Sequence, residues 1–238
     1  MRTSRDLKSP WGQRVWYDEP EFDSMMDESV ERAGIGYDLG TGVDVEEVLL
    51  KGYGLSPDFC ELEPGILGRT RFHSTGRIEV QISEELALGE STSATTRRRL
   101  RSTLAHELAH VVLHRHLHSF GMEPLFAELK NDEPKVLCRA TVISEPQRMA
   151  QDWWEYQANR GMSCLLLPKL RVRQAVDDCL LDLGARGVKE LLARGSGDRL
   201  VDSIVGTFDV SFEMALYRLQ DLGYVPRDVR QTQLSTGE

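Results

Sequence analysis

Residues 101–118, RSTLAHELAHVVLHRHLH, carry the reading that decides the fold. Leu100, Leu104, Leu108, Val111 and Val112 recur at helical spacing, so the segment reads as part of one long amphipathic helix. That helix is predicted to begin near Ser93 or Thr95 and to run past His114. Within it, His106, Glu107, Leu108, Ala109 and His110 spell the pattern HExxH. Residues four apart stand one turn apart on the same helix face, so two imidazoles can converge on one ion. Glu107, next to the first histidine, is then placed to act as general base toward water polarised by that ion.

Two histidines do not complete a catalytic metal site, which takes three protein ligands and leaves a fourth position open. His114 is a poor third ligand. On a straight helix it lies about 12 Å of rise from His106, whereas zinc–nitrogen bonds are only about 2.0 Å long. It is expected to pack or hydrogen-bond instead. His116 has the metzincin spacing HExxHxxGxxH, but Leu113 stands where glycine would turn the chain back to the metal. His116 is the alternative, and His118 has no precedent at its spacing. The best third ligand is Glu155, on a second helix in WWEYQANRGMSCLLLP (153–168). A glutamate from a second helix, well downstream of HExxH, is the gluzincin arrangement. Asn159, one turn after Glu155, is placed to accept a hydrogen bond from the other ring nitrogen of a ligand histidine and fix its tautomer.

Outward from these helices, 43–50 (VDVEEVLL) reads as a short helix with Asp44 as its cap. Residues 66–72 and 77–83 read as strands joined by Ser74-Thr75-Gly76, with Ile78, Val80 and Ile82 alternating with polar residues. Placed at a sheet edge beside the metal, 78–82 would accept an extended peptide as a further strand. Residues 136–143 read as another strand. The second long helix is expected over 145–167, stopped by Pro168. Short helices follow, broken by Gly184, Gly187 and Gly195-Ser196-Gly197. The closing pair, 199–206 and 211–222, has a helix-turn-helix look with Phe208-Asp209-Val210 as its turn. Its second helix offers Arg218 but also Glu213 and Asp221, so the pair is read as structural and direct DNA binding is not expected. Arg97, Arg98, Arg99 and Arg101 read as a solvated first turn capped by Thr95 or Thr96.

Strands followed by helices predict an α+β fold. A small, mainly antiparallel sheet would pack on the HExxH helix, and a small helical C-terminal part would follow. The expected divisions are an N-terminal arm over 1–30, a metal-binding catalytic domain over 31–170 and a helical subdomain over 171–238. The chain has 238 residues, 40% hydrophobic and 28% charged, which suits a folded domain of this size. Its formal charge, 29 − 38 = −9, excludes a general nucleic-acid binder. Cys60, Cys138, Cys164 and Cys179 have no metal-ligand spacing and are read as reduced thiols. The first residues have no apolar core, so no signal peptide is expected. No stretch is long and apolar enough to span a bilayer. A cytoplasmic protein without membrane partners is the expectation.

The motifs together resemble the ImmA/IrrE family of zinc metallopeptidases. That family's pattern is RFTLAHELGHxxLH, then a variable stretch, then ExxANxFAxxLLMP. Here it reads RSTLAHELAHVVLH over 101–114 and Glu155-Tyr156-Gln157-Ala158-Asn159 through Leu165-Leu166-Leu167-Pro168. VDVEEVLLKGYGL and VGTFDVSFEMALYRLQDLGYV resemble the family's opening and closing segments, so the likeness covers about residues 43 to 225. Ser102 departs from an aromatic, Ala109 from glycine, and Gly161-Met162 from Phe-Ala. The resemblance implies a zincin-like catalytic domain holding one catalytic Zn2+, with His106, His110 and Glu155 as ligands and Glu107 as base. It also implies an endopeptidase acting on a protein substrate such as a helix-turn-helix transcriptional repressor, in stress or mobile-element responses. The alternative is a zinc-containing regulator that binds DNA or a repressor without peptidase turnover.

Overall fold

A computed structural model describes residues 2–6, 12–37, 42–73, 75–89, 93–120, 135–137 and 153–227. The fold is mixed α+β. The chain divides into two compact units, one of residues 1–37 with 43–165, the other of 38–42 with 166–238.

The first unit opens with an antiparallel hairpin of β1 (Arg2–Arg5) and β2 (Gln13–Trp16). Helix α1 (Glu19–Ala33) follows. Asp18 precedes it, and the Glu21 carboxylate accepts the Asp18 N–H at 2.7 Å. Gly34, with φ of 65°, ends it in a left-handed turn that suits glycine. Phe22, Met26, Val30 and Ala33 are buried along one face of α1, which packs on the long helix described below. Val15 is fully buried in a cluster with Phe72, Leu117 and Trp153. The expected arm over 1–30 is therefore corrected: apolar residues at helical spacing dock this segment into the core.

A short turn α2 (Val45–Glu47), capped by the Asp44 carboxylate on Glu47 N–H at 3.0 Å, continues into a π-helical segment (Val48–Gly52). The sheet contains β3 (Asp58–Cys60), β4 (Gly68–Phe72), β5 (Ile78–Ser83) and β6 (Lys135–Leu137), in the order β3-β5-β4-β6. The β4 pairings with β5 and β6 are antiparallel, and β3 joins β5 in parallel. Thus β5 is interior, not an edge. The three-residue strand β3 is too short to show periodicity in the sequence, yet it occupies the side of β5 where an added peptide was expected. Of residues 136–143, only the first two lie in β6, and the remainder fall outside the described residues.

Helix α3 (Glu84–Gly89) leads to α4 (Ala94–Phe120), the HExxH helix. Ser93 caps α4, its Oγ accepting the Thr96 N–H at 3.1 Å, in place of the expected Thr95 or Thr96. Through its middle turns α4 is not amphipathic: Leu104, Ala105, Glu107, Leu108, Ala109, His110, Val111, Leu113 and His114 are all buried. The sheet lies on one side and helices on others, which explains the alanines. Helix α5 (Trp153–Leu166) brings up the second motif. The part of the predicted helix before Trp153 lies outside the described residues.

The second unit contains α6 (Lys169–Asp182), α7 (Val188–Ala193), α8 (Gly197–Phe208) and α9 (Phe212–Asp221). Helix α8 packs against both α6 and α9, burying Leu200, Val201, Ile204 and Phe208. Asp209, with φ of 49°, makes the turn, and Ser211 caps α9 by accepting the Met214 N–H at 3.2 Å. Arg218 is buried, its Nε donating to the Leu167 carbonyl at 2.9 Å. No helix of the described residues is long and apolar enough to cross a membrane.

Candidate metal centre

The site is built by two helices and closed from behind by the sheet. His106 and His110 project from successive turns of α4, and Glu155 projects from the first turn of α5. Their ligand atoms converge. His106 Nε2 and His110 Nε2 are 3.0 Å apart. Glu155 Oε2 lies 3.1 Å from His106 Nε2, and Oε1 lies 3.5 Å from His110 Nε2. These three residues form a possible metal-binding triad, their ligand atoms all within 4.8 Å of one another. A tetrahedral ion with bonds of about 2.0–2.1 Å requires its ligand atoms to stand about 3.3 Å apart. The observed separations bracket that value. Three lone-pair-bearing atoms facing one another repel unless a proton or a metal cation lies between them, and two imidazole nitrogens with a carboxylate oxygen are a donor set that fits a metal.

The electrostatics agree. Burial opposes a charge on Glu155, but the imidazoles of His110 and His106 outweigh it and hold the carboxyl below the usual carboxylate range. Burial likewise works against a charged His106, yet the Glu155 carboxylate raises this ring above an ordinary histidine. His110 is fully buried, while the side chains of His106 and Glu155 keep 13% and 19% exposure, so the triad opens to solvent on one side. An open position is the mark of a reactive rather than a purely structural site.

Each histidine is oriented by its other ring nitrogen. His106 Nδ1 lies 3.1 Å from Asn159 Oδ1. An amide oxygen only accepts, so His106 donates from Nδ1 and leaves Nε2 free to bind. His110 Nδ1 lies 3.1 Å from His114 Nδ1. His114 is fully buried, and burial followed by the neighbouring His110 holds it well below the usual histidine range. His114 thus contacts a candidate ligand and lies outside the triad, in keeping with its distance along the helix. His116 lies outside the triad. Helix α4 runs on unbroken to Phe120 and carries His116 away from the site, as leucine at 113 favours. The His118 side chain is outside the described residues.

Glu107 is 1% exposed and accepts a hydrogen bond from Thr70 Oγ1 of β4 at 2.7 Å. Burial raises its carboxyl above the ordinary range, against the pull of His106 and His110. A carboxylate of raised basicity held beside a cation site is suited to taking up and releasing a proton. The sheet approaches this closely because residue 68 is glycine. A Cβ there would meet Thr103 Cγ2 at 2.6 Å and Glu107 Oε1 at 3.0 Å. Neither Thr70 nor Gly68 carries a local sequence signal, because their roles come from the register of β4 against α4. A cavity of about 440 Å³ lies by Tyr53, Arg77, Val111 and Arg115 and is not lined by the triad.

Among known proteins, the chain matches no family model and no curated protein.

Proposed function

We propose that this chain is a zinc-dependent endopeptidase of the ImmA/IrrE kind, with a zincin-like catalytic domain. The observation that carries the reading is the convergence of His106 Nε2, His110 Nε2 and a Glu155 carboxylate oxygen at near-tetrahedral spacing. Two imidazoles and one carboxylate suit zinc better than the all-oxygen sites of magnesium or calcium. When bound there, zinc would supply Lewis acidity to a peptide carbonyl and to water. The chain's own residues then do the following. His106, His110 and Glu155 hold the ion, and Asn159 keeps the His106 ring turned so that Nε2 faces it. Glu107 accepts the proton of the attacking water and returns it to the leaving amine, while Thr70 fixes the carboxylate in place.

The resemblance in the two motifs supports a protein substrate, with a helix-turn-helix repressor as the first to test. The DNA-binding alternative gains nothing from α9, whose Arg218 is buried on the Leu167 carbonyl and is not presented to phosphates. The test is incubation of zinc-loaded protein with a repressor encoded by a neighbouring gene, comparing wild type with Glu107→Gln. Cleavage by wild type alone supports the proposal. Equal turnover by both would remove Glu107 from the mechanism, and stoichiometric binding without cleavage would favour a regulator.

A further inference from the structure

A line of hydrogen bonds runs from the metal triad into the N-terminal hairpin, and its direction is fixed from its far end. Val15 of β2 offers a main-chain carbonyl, which can only accept. Gln157 Nε2 donates to it at 2.7 Å. That contact orients the amide, so Gln157 presents its oxygen at the other end, where it lies 3.1 Å from His114 Nε2. An amide oxygen also only accepts, so the His114 proton sits on Nε2. His114 and Gln157 are both buried, 0% and 5% exposed, so these bonds are made away from bulk solvent. A neutral His114 then has Nδ1 as acceptor, and His110 Nδ1, 3.1 Å away, must be the donor. With its proton on Nδ1, His110 leaves Nε2 bare, facing His106 Nε2 and Glu155.

The structure assigns His114 and Gln157 as positioning residues for His110, setting which ring nitrogen it offers to the metal, with the Val15 carbonyl as the fixed end of the chain. The inference rests on the metal-centre reading above and adds a part to it. His106 is oriented from its own helix pair through Asn159, whereas His110 is oriented from the hairpin at the other end of the sequence. Reversing any link reverses the rest. A proton on His114 Nδ1 would force the His110 proton onto Nε2, into the ion's place.

The experiment uses full-length protein labelled with 15N-histidine, with ring tautomers read from side-chain 15N correlations before and after zinc addition. Zinc affinity is measured by competition with a chromophoric chelator. In metal-free wild type, His114 is expected as the neutral Nε2–H tautomer and His110 as Nδ1–H. On zinc addition His110 coordinates through Nε2. Gln157→Leu should scramble the His114 and His110 tautomers and weaken zinc binding about 10-fold to 100-fold. His106, held by Asn159, should keep its signature in that variant. A His114 proton on Nδ1 in wild type, or unchanged tautomers and affinity in Gln157→Leu, overturns the assignment. Should the leucine variant not fold, the wild-type tautomers still decide. Failure of wild type to bind zinc, with these tautomers present, would instead overturn the metal-centre reading and leave the hydrogen-bond chain standing as a structural feature.

Discussion

At the residue scale, function is concentrated in side chains whose partners are already in place. Glu107 is held by Thr70 and raised in basicity by burial. Glu107→Gln is expected to keep zinc binding within a few-fold of wild type and to lower turnover about 10²- to 10⁴-fold, measured as cleavage rate at saturating zinc. Tyr17 gives a separate prediction, on stability. Its hydroxyl donates to the Leu113 carbonyl of α4 at 2.8 Å, and burial, aided by Glu21, raises its pKa above the ordinary 10.0. The unfolded chain therefore loses this proton first as pH rises. The contribution of Tyr17 is full below about pH 10 and disappears as pH climbs toward its raised folded value. Tyr17→Phe should cost about 0.5–1.5 kcal/mol near neutrality and show a shallower loss of stability above pH 10 than wild type, as followed by urea unfolding. His106 and His110 were legible in the sequence because helical spacing turns directly into geometry, whereas Glu155, on a separate helix, was legible only through the gluzincin arrangement of a downstream glutamate. Thr70, Gly68 and Gln157 were not, since their roles depend on how separate elements register against one another.

At the scale of elements, the decisive contact is the crossing of α4 and α5, which sets the distance between the histidines and Glu155. Gly161 sits at that crossing. A Cβ there would meet Ala109 Cβ at 2.8 Å, Leu113 Cδ1 at 3.2 Å and Met26 Cε at 3.2 Å. Glycine inside a helix costs about 1 kcal/mol relative to alanine, so its presence reflects this close approach. Ala109 and Gly161 are also two of the positions that differ from the ImmA/IrrE pattern the motifs resemble, and they fall together: alanine stands on α4 where that pattern has glycine, and glycine on α5 where it has phenylalanine. Gly161→Ala is expected to destabilise by about 1–3 kcal/mol through overpacking and to weaken zinc binding by pushing Glu155 outward. The double variant Ala109→Gly with Gly161→Ala should recover most of both, measured by denaturant midpoints and chelator competition. Lack of recovery would mean that Leu113 and Met26, rather than Ala109, set the spacing. The α4 helix, the strand pair β4–β5 and the closing pair α8–α9 could be read from periodicity and turn residues. The parallel strand β3 could not, because three residues carry no period and a parallel partner is not announced by a hairpin turn.

For the molecule as a whole, the N-terminal residues belong to the unit that carries the candidate metal triad rather than to a loose arm. The signal was present in the spacing of Phe22, Met26, Val30 and Ala33 and in the Asp18–Glu21 cap, but the surrounding polar residues masked it. The second unit keeps its only α9 cation inside. Arg218→Ala is expected to cost about 1–3 kcal/mol through loss of its bond to the Leu167 carbonyl. Neither it nor wild type should shift duplex DNA in a gel assay at physiological salt. The central claim, that α4 and α5 together close three side chains round one metal ion, is met most directly by metal content. Full-length protein would be loaded with zinc, desalted and assayed for bound metal, alongside Glu155→Ala and His116→Ala. One zinc per chain is expected in wild type and in His116→Ala, and little in Glu155→Ala. Retention of zinc by Glu155→Ala with loss from His116→Ala, or no retained metal in wild type, would contradict it.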